Sequence, residues 1–210
     1  MITLYYAPGA CSLASHIVLE ELGLPYEAVK LNLQEGDQRK PEFLALNPRG
    51  RVPVLAVDGR VLTENVSILT WLGGGHPKGG LWPEETWDQA QALRHMGFMS
   101  SSVHIAYANM IRPARFCSDE STHEAIKATG REAFWKYLEE IDGMLTGKDW
   151  IMGKQYTVCD PYALVFYRWG KRSGMAVEQL GNYSKLALRL LDRPAAKRAF
   201  EMEGIKLDLT

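Results

Sequence analysis

The period of the hydrophobic pattern changes partway along this chain, from mixed strand and helix spacings to helical spacing alone. Ile2, Leu4, Tyr5 and Tyr6 open it as a short run of strand formers. From Leu13 the apolar positions lie on two neighbouring helical ridges, Leu13 and Ile17 on one and Ala14, Val18 and Leu22 on the other. That spacing predicts a helix over Ser12–Leu22, buried along one face. Gly23 stands where a helix-ending glycine would, and Pro25 follows as a stop. Tyr26, Ala28, Val29, Leu31 and Leu33 then restore strand character. A strand–helix–strand unit of about 30 residues has the size of a βαβ crossover joining parallel strands.

Gln34–Pro41 is polar and loop-like, and Glu42–Leu46 is a helical turn ended by Asn47-Pro48. Asp58-Gly59 between two β-rich runs predicts a hairpin that pairs Val54–Val57 with Arg60–Leu62. Pro53 opens the first of these strands, where a missing N–H is tolerated. A helix begins at Thr63-Glu64-Asn65 with capping-type residues and an acidic first turn, and Gly73–Gly80 ends it as a glycine-rich linker. The remainder is helical: Thr86–Arg112 up to Pro113, Ser121–Leu145, Thr157–Arg172 with Tyr162, Phe166 and Trp169 on one face, Val177–Leu191 and Pro194–Met202. The order is therefore β-α-β-α-β-β-α followed by helices, an α/β domain over residues 1–78 and an all-α domain over residues 86–210.

Composition narrows the function classes. A net charge of −1 gives no electrostatic case for nucleic acid or an anionic membrane. No 18-residue apolar run and no basic leader occur, so a soluble protein is expected. Three widely spaced cysteines, Cys11, Cys117 and Cys159, do not form a disulfide framework, which favours a reducing, cytoplasmic location. No histidine pair has metal-ligand spacing, and neither a dinucleotide fingerprint nor a P-loop is present.

Candidate chemistry gathers at three places. Cys11 lands at the start of the first helix, where unpaired N–H groups and the helix dipole favour a thiolate. Alternatively it is a small buried hydrophobe. No second cysteine follows three residues on, so a reactive Cys11 would work with an external thiol rather than close its own disulfide. Ser12 is either a secondary donor or a helix-start residue. Val52-Pro53 follows an Arg-Gly-Arg turn, and a cis bond there would free the Val52 backbone to pair with an extended peptide. Glu64-Asn65 at a helix start offers a carboxylate for a cation and N–H groups for an anion, which together suit an amino-acid zwitterion; ordinary capping is the alternative. Thr157-Val158-Cys159-Asp160 has the form of a capping box, a folding signal that leaves Cys159 as packing.

Taken together, Tyr5–Ser12, Asn47–Leu55, Leu62–Glu64, Val103–His104 and Tyr156–Asp160 resemble the motifs of the glutathione transferase superfamily, most nearly its bacterial beta class. The resemblance spans essentially the whole chain. It implies a thioredoxin-like N-terminal domain, an all-helical C-terminal domain and a homodimer, with glutathione as cosubstrate and no permanently bound cofactor. It further implies Cys11 and His104 as the groups at the glutathione sulfur, with Tyr6 nearby. Val52 before Pro53 would pair with the cysteinyl backbone, and Glu64 with the Asn65 N–H would hold the γ-glutamyl end. Ser101, Ser102 and Val103 share the His104 segment. Ile105, Gly97 and Glu35 or Gly36 stand where family members place polar contacts, for which Arg112 or Arg115 could compensate. The implied reaction is conjugation of the glutathione thiol to a small hydrophobic electrophile, or thiol–disulfide exchange through Cys11, with Tyr107, Met110 and Phe116 shaping the electrophile pocket. A glutathione-dependent isomerase or dehalogenase and a non-catalytic dimeric interaction module are the alternatives.

Overall fold

Strand β1 (Ile2–Tyr6) lies inside a four-stranded sheet and carries the chain directly into the cysteine turn. The computed structural model describes residues 1–206. Helix α1 (Leu13–Leu22) crosses from β1 to β2 (Tyr26–Lys30), which pairs parallel to it with Ile2 opposite Tyr26. Beyond the short helix α2 (Pro41–Leu46), strand β3 (Val54–Val57) runs antiparallel to β1 with Val54 opposite Tyr5. The predicted hairpin joins β3 to β4 (Arg60–Thr63), with Asp58 and Gly59 both at positive φ, as its tight turn requires. The strand order is β2-β1-β3-β4. This is a thioredoxin-like α/β domain, followed among the described residues by a helical domain.

Two elements of this domain differ from expectation. Strand β2 ends at Lys30, because Leu31 spends its N–H on the Tyr6 carbonyl at 2.8 Å and Asn32 then starts a turn. There the Asn32 N–H donates to Asp37 at 2.7 Å, while its side-chain oxygen accepts from Gln34. Helix α3 (Asn65–Gly75) does not stop before Gly73. A Cβ on Gly73 would sit 2.9 Å from the Val158 side chain, so the glycine is there for close packing rather than as a breaker.

The helical domain contains α4 (Thr86–Phe98), α5 (His104–Ile111), α6 (His123–Met144), α7 (Cys159–Arg172), α8 (Gly181–Asp192) and α9 (Pro194–Glu203). The expected single helix over Thr86–Arg112 is interrupted by a wide π-type turn at Met99–Val103, which resets the phase of α5. Helix α7 is the buried axis, with every residue from Cys159 to Gly170 covered. Pro161 fits in its first turn because N–H groups there have no intrahelical partner. The capping box forms: Thr157 Oγ1 accepts the Cys159 N–H at 3.3 Å, and Asp160 accepts the Thr157 N–H at 2.8 Å. Helix α1 packs against both α7 and α9, which brings the helical domain against the cysteine turn. No helix among the described residues is long and apolar enough to cross a membrane.

Candidate active site

Cys11 is presented by a turn just ahead of α1. The Ala10 N–H donates to the Ala7 carbonyl at 3.0 Å, and the Leu13 N–H donates to the Ala10 carbonyl at 3.1 Å. The Ser12 hydroxyl is consumed inside this turn, donating to the Ala7 carbonyl at 3.3 Å and accepting its N–H at 3.2 Å. Ser12 is fully buried, so its role is to shape the turn, and its hydroxyl does not face a ligand. The helical domain grips the same turn at Gly9. There the N–H donates to Glu203 at 2.7 Å, and the carbonyl accepts from the Trp169 indole at 3.0 Å. Glu203 also bonds His16 at 3.0 Å, and both of these side chains are fully buried.

The Cys11 thiol is buried and donates to the Val52 carbonyl at 3.4 Å. Its ionisation follows burial, the second of the two sequence readings, rather than the helix start. Burial pushes the thiol up to about 12, although the Cys11 and Ser12 N–H groups and the Arg112 charge pull it down. Desolvating a thiolate costs several kcal/mol, whereas a helix terminus contributes about 1 kcal/mol. The site therefore holds a neutral thiol beside N–H groups and an arginine that favour a negative sulfur, opposed by the Glu64 charge. Cys117 is the reverse case, half-buried and held below the ordinary thiol range by Thr122 and the Asp119 N–H. Brief alkylation with iodoacetamide at mildly alkaline pH is thus expected to label Cys117 well before Cys11, as read by peptide mapping. Faster labelling of Cys11 would contradict a protonated, buried thiol. Cys159 is inert packing, its thiol facing the Ala92 carbonyl at 3.6 Å and raised by burial.

Val52 and Pro53 are joined by a cis bond, and Pro53 is buried. The pairing of Val54 with Tyr5 lays this segment beside the end of β1, and Asn47 steadies it by donating to the Arg51 carbonyl at 2.8 Å. Glu64 sits at the start of α3 with φ 69°, and its side chain makes no capping bond. The ordinary-capping alternative therefore fails for Glu64. Its carboxylate is 61% exposed and pairs with Arg49 at 3.4 Å. Asn65 turns inward, donating to the Cys11 carbonyl and accepting from the Ser15 hydroxyl, both at 2.7 Å. The start of α3 and the cysteine turn are thereby one unit.

His104 begins α5 directly after the wide turn, half-buried, with its ring 5.0 Å from Trp169 and 6.0 Å from Phe166. Burial, and then the charges of Arg112, Arg51 and Arg115, push it down to about 4. It is neutral at physiological pH and can donate one N–H. Arg112 acts on both Cys11 and His104, which places the two sequence candidates in one electrostatic neighbourhood. Tyr107 stacks on Trp169 at 4.3 Å and extends an aromatic wall behind His104.

Tyr6, Val103 and Ser101 are also placed differently from expectation. Tyr6 is turned away from the cysteine into the packing of α1 and α9, its ring 5.0 Å from His16 and its hydroxyl donating to the Met202 carbonyl at 3.4 Å. The Val103 side chain is fully buried in the core. The exposed Ser101 hydroxyl turns back to the Gly97 carbonyl at 2.8 Å, while Ser102 is half-buried. Trp169, His16 and Glu203 were not legible as supports of the turn. Trp169 reads only as one of three aromatic positions on a helix face, and its partner Gly9 is 160 positions away.

Residues 9–74 match the family model of the glutathione S-transferase N-terminal domain. A glutathione S-transferase of Escherichia coli O157:H7 is 31% identical over 210 residues, covering 97% of this chain and 99% of that protein. A glutathione transferase homolog from Sulfitobacter, solved with bound glutathione, superposes with a TM-score of 0.92 at 28% identity over 98% of this chain and 99% of that one. A beta class glutathione S-transferase from Sphingomonas chungbukensis gives 0.86 at 32% identity over 97% of this chain and 100% of that one.

Proposed function

The chain belongs to the glutathione S-transferase family, and from that premise we propose that it activates the glutathione thiol for attack on electrophiles and exchanges disulfides through Cys11. The observation that carries this reading is the Val52 carbonyl 3.4 Å from the Cys11 sulfur. An extended peptide whose N–H pairs with that carbonyl sets its own thiol against Cys11. Glu64 receives the γ-glutamyl ammonium and the Asn65 N–H its carboxylate, so both ends of the zwitterion are matched. The glutathione bound to the Sulfitobacter relative supports the same ligand. The likeness to the Sphingomonas enzyme favours the beta class, and with it a homodimer, and the three free cysteines favour a reducing cytoplasm.

The chemistry follows from the charge balance around the sulfur. The Cys11 and Ser12 N–H groups and the Arg112 charge favour a negative sulfur, the His104 N–H joins them as the family resemblance implies, and the ligand brings one in place of Cys11 itself. The neutral Cys11 S–H is free to swing from Val52 to donate to the glutathione thiolate. In conjugation that thiolate attacks the electrophile and its leaving group departs. In exchange, Cys11 loses its proton and attacks one sulfur of a glutathione disulfide. The S–S bond breaks, and the released glutathione thiolate takes up a proton. Tyr107 and Phe116 provide the apolar surface for a hydrophobic second substrate.

Glu64→Gln tests the binding half of this reading. Loss of a charged hydrogen bond is worth about 1.5–3 kcal/mol, which corresponds to roughly 10- to 100-fold weaker glutathione binding by calorimetry. Unchanged affinity in a folded variant would contradict the assigned orientation.

A further inference from the structure

Resting on that reading, we propose that the second substrate of this site carries a carboxylate, held by the arginines that gather over the entrance. Four arginines from three separate segments lie close enough to act on one another there. Arg39 ends the turn before α2, with its guanidinium 3.1 Å from where a Cβ on Gly50 would lie, and so rests against the Gly50–Arg51 backbone. Arg51 precedes the Val52 carbonyl that receives the Cys11 thiol. Arg112 closes α5, and the Arg115 N–H donates to the Arg112 carbonyl at 3.0 Å, which puts both on one turn. All four side chains belong to exposed residues. Arg112, Arg51 and Arg39 together hold the Arg115 guanidinium below its ordinary value, with burial the first cause, so the four feel one another as like charges.

No carboxylate among the described residues is paired with them. Among the described residues none of the four forms an ion pair, whereas Arg49, Arg189, Arg193 and Arg198 each have an acidic partner. Asp37, on the turn that carries Arg39, is taken by Lys40 at 2.6 Å. Glu64 is taken by Arg49 and, in the proposed complex, by the glutathione ammonium. Bound glutathione brings a glycyl carboxylate and a thiolate to this side, which balance two of the four charges. Clustered like charges without counterions cost folding free energy, and a second anion relieves that cost. Half-exposed Phe116, next to Arg115, gives the same ligand an apolar surface. The fitting substrate is therefore an apolar, preferably aromatic, body with a carboxylate, and a guanidinium fork matches that group in two hydrogen bonds.

The test compares two thioether conjugates of glutathione, one with dinitrobenzene and one with the same ring bearing a carboxylate, titrated by calorimetry together with glutathione itself. The wild-type protein is expected to bind the carboxylated conjugate about tenfold more tightly than the neutral one, the step that one charge-assisted contact supplies. In Arg112→Ala/Arg115→Ala the preference should fall to near unity, and Arg112→Lys/Arg115→Lys should restore part of it. Equal binding of both conjugates by the wild-type protein would overturn this inference and leave the proposed function standing. A preference that survives the double alanine variant would also overturn it. Failure of glutathione and both conjugates to bind would overturn the proposed function, and this inference with it.

Discussion

Replacing Cys11 with alanine is expected to abolish glutathione-dependent thiol–disulfide exchange while lowering conjugation only several-fold. The two reactions use the sulfur differently. Exchange passes through a covalent Cys11–glutathione disulfide, and no other described thiol can take its place. Cys159 is sealed in the core, and Cys117 lies in the loop beyond α5. Conjugation needs only a stabilised glutathione thiolate, to which the neutral Cys11 contributes one weak S–H donor among several. Loss of such a donor costs about 1 kcal/mol, a several-fold effect. Assays of both activities on the purified variant separate the roles. Equal loss of both, or of neither, would contradict the assignment of Cys11.

Asp160→Ala is expected to cost about 3 kcal/mol or more of stability, a large share of what holds a domain together. The carboxyl is fully buried and accepts the Ile151 N–H at 2.7 Å, the Thr157 N–H at 2.8 Å and the Thr157 hydroxyl at 3.3 Å. Alanine leaves two buried N–H groups without partners at the head of α7, the helix on which the core is built. Urea unfolding of the variant measures the loss, and a change below 1 kcal/mol would contradict this account. The group also has a pH signature. Burial pushes its carboxyl up to about 7, against the pull of its N–H donors and Arg193. The folded state therefore holds the proton more tightly than the unfolded chain, whose carboxyl titrates near 4. The stability this adds is full below about pH 4 and is lost as pH rises through about 7. Asp160→Asn does not titrate, so the wild-type advantage over it should shrink across that window. A growing advantage would mean that the donors outweigh burial.

Sequence and structure agree most where a local rule decides the outcome. Asp58-Gly59 dictates its hairpin, the period of Leu13–Leu22 dictates α1, and Thr157 with Asp160 dictates the start of α7, each within a few residues. Disagreement begins where distant atoms decide. The thiol of Cys11 has a helix start ahead of it, as its position suggests, yet the surrounding core fixes its proton, and a linear pattern carries no burial depth. Gly73 continues a helix because Val158, far along the chain, packs against it. Ser100-Ser101-Ser102 gives no warning that the helix widens there. Tyr5 and Tyr6 alternate across β1, and only the packed sheet shows that Tyr6 takes the face toward His16 while Tyr5 faces Phe43. The arginine group is likewise invisible until the fold brings Arg39 and Arg51 up to Arg112 and Arg115.

The central claim, that Cys11 meets a glutathione sulfur held by Val52 and Glu64, is tested most directly by intact mass after incubation with oxidised glutathione. The expected result is a glutathionyl adduct on the peptide containing Cys11 that is lost in Cys11→Ala, whether or not the more accessible Cys117 is also modified. An unmodified Cys11, together with no calorimetric heat on titration with glutathione, would contradict the claim.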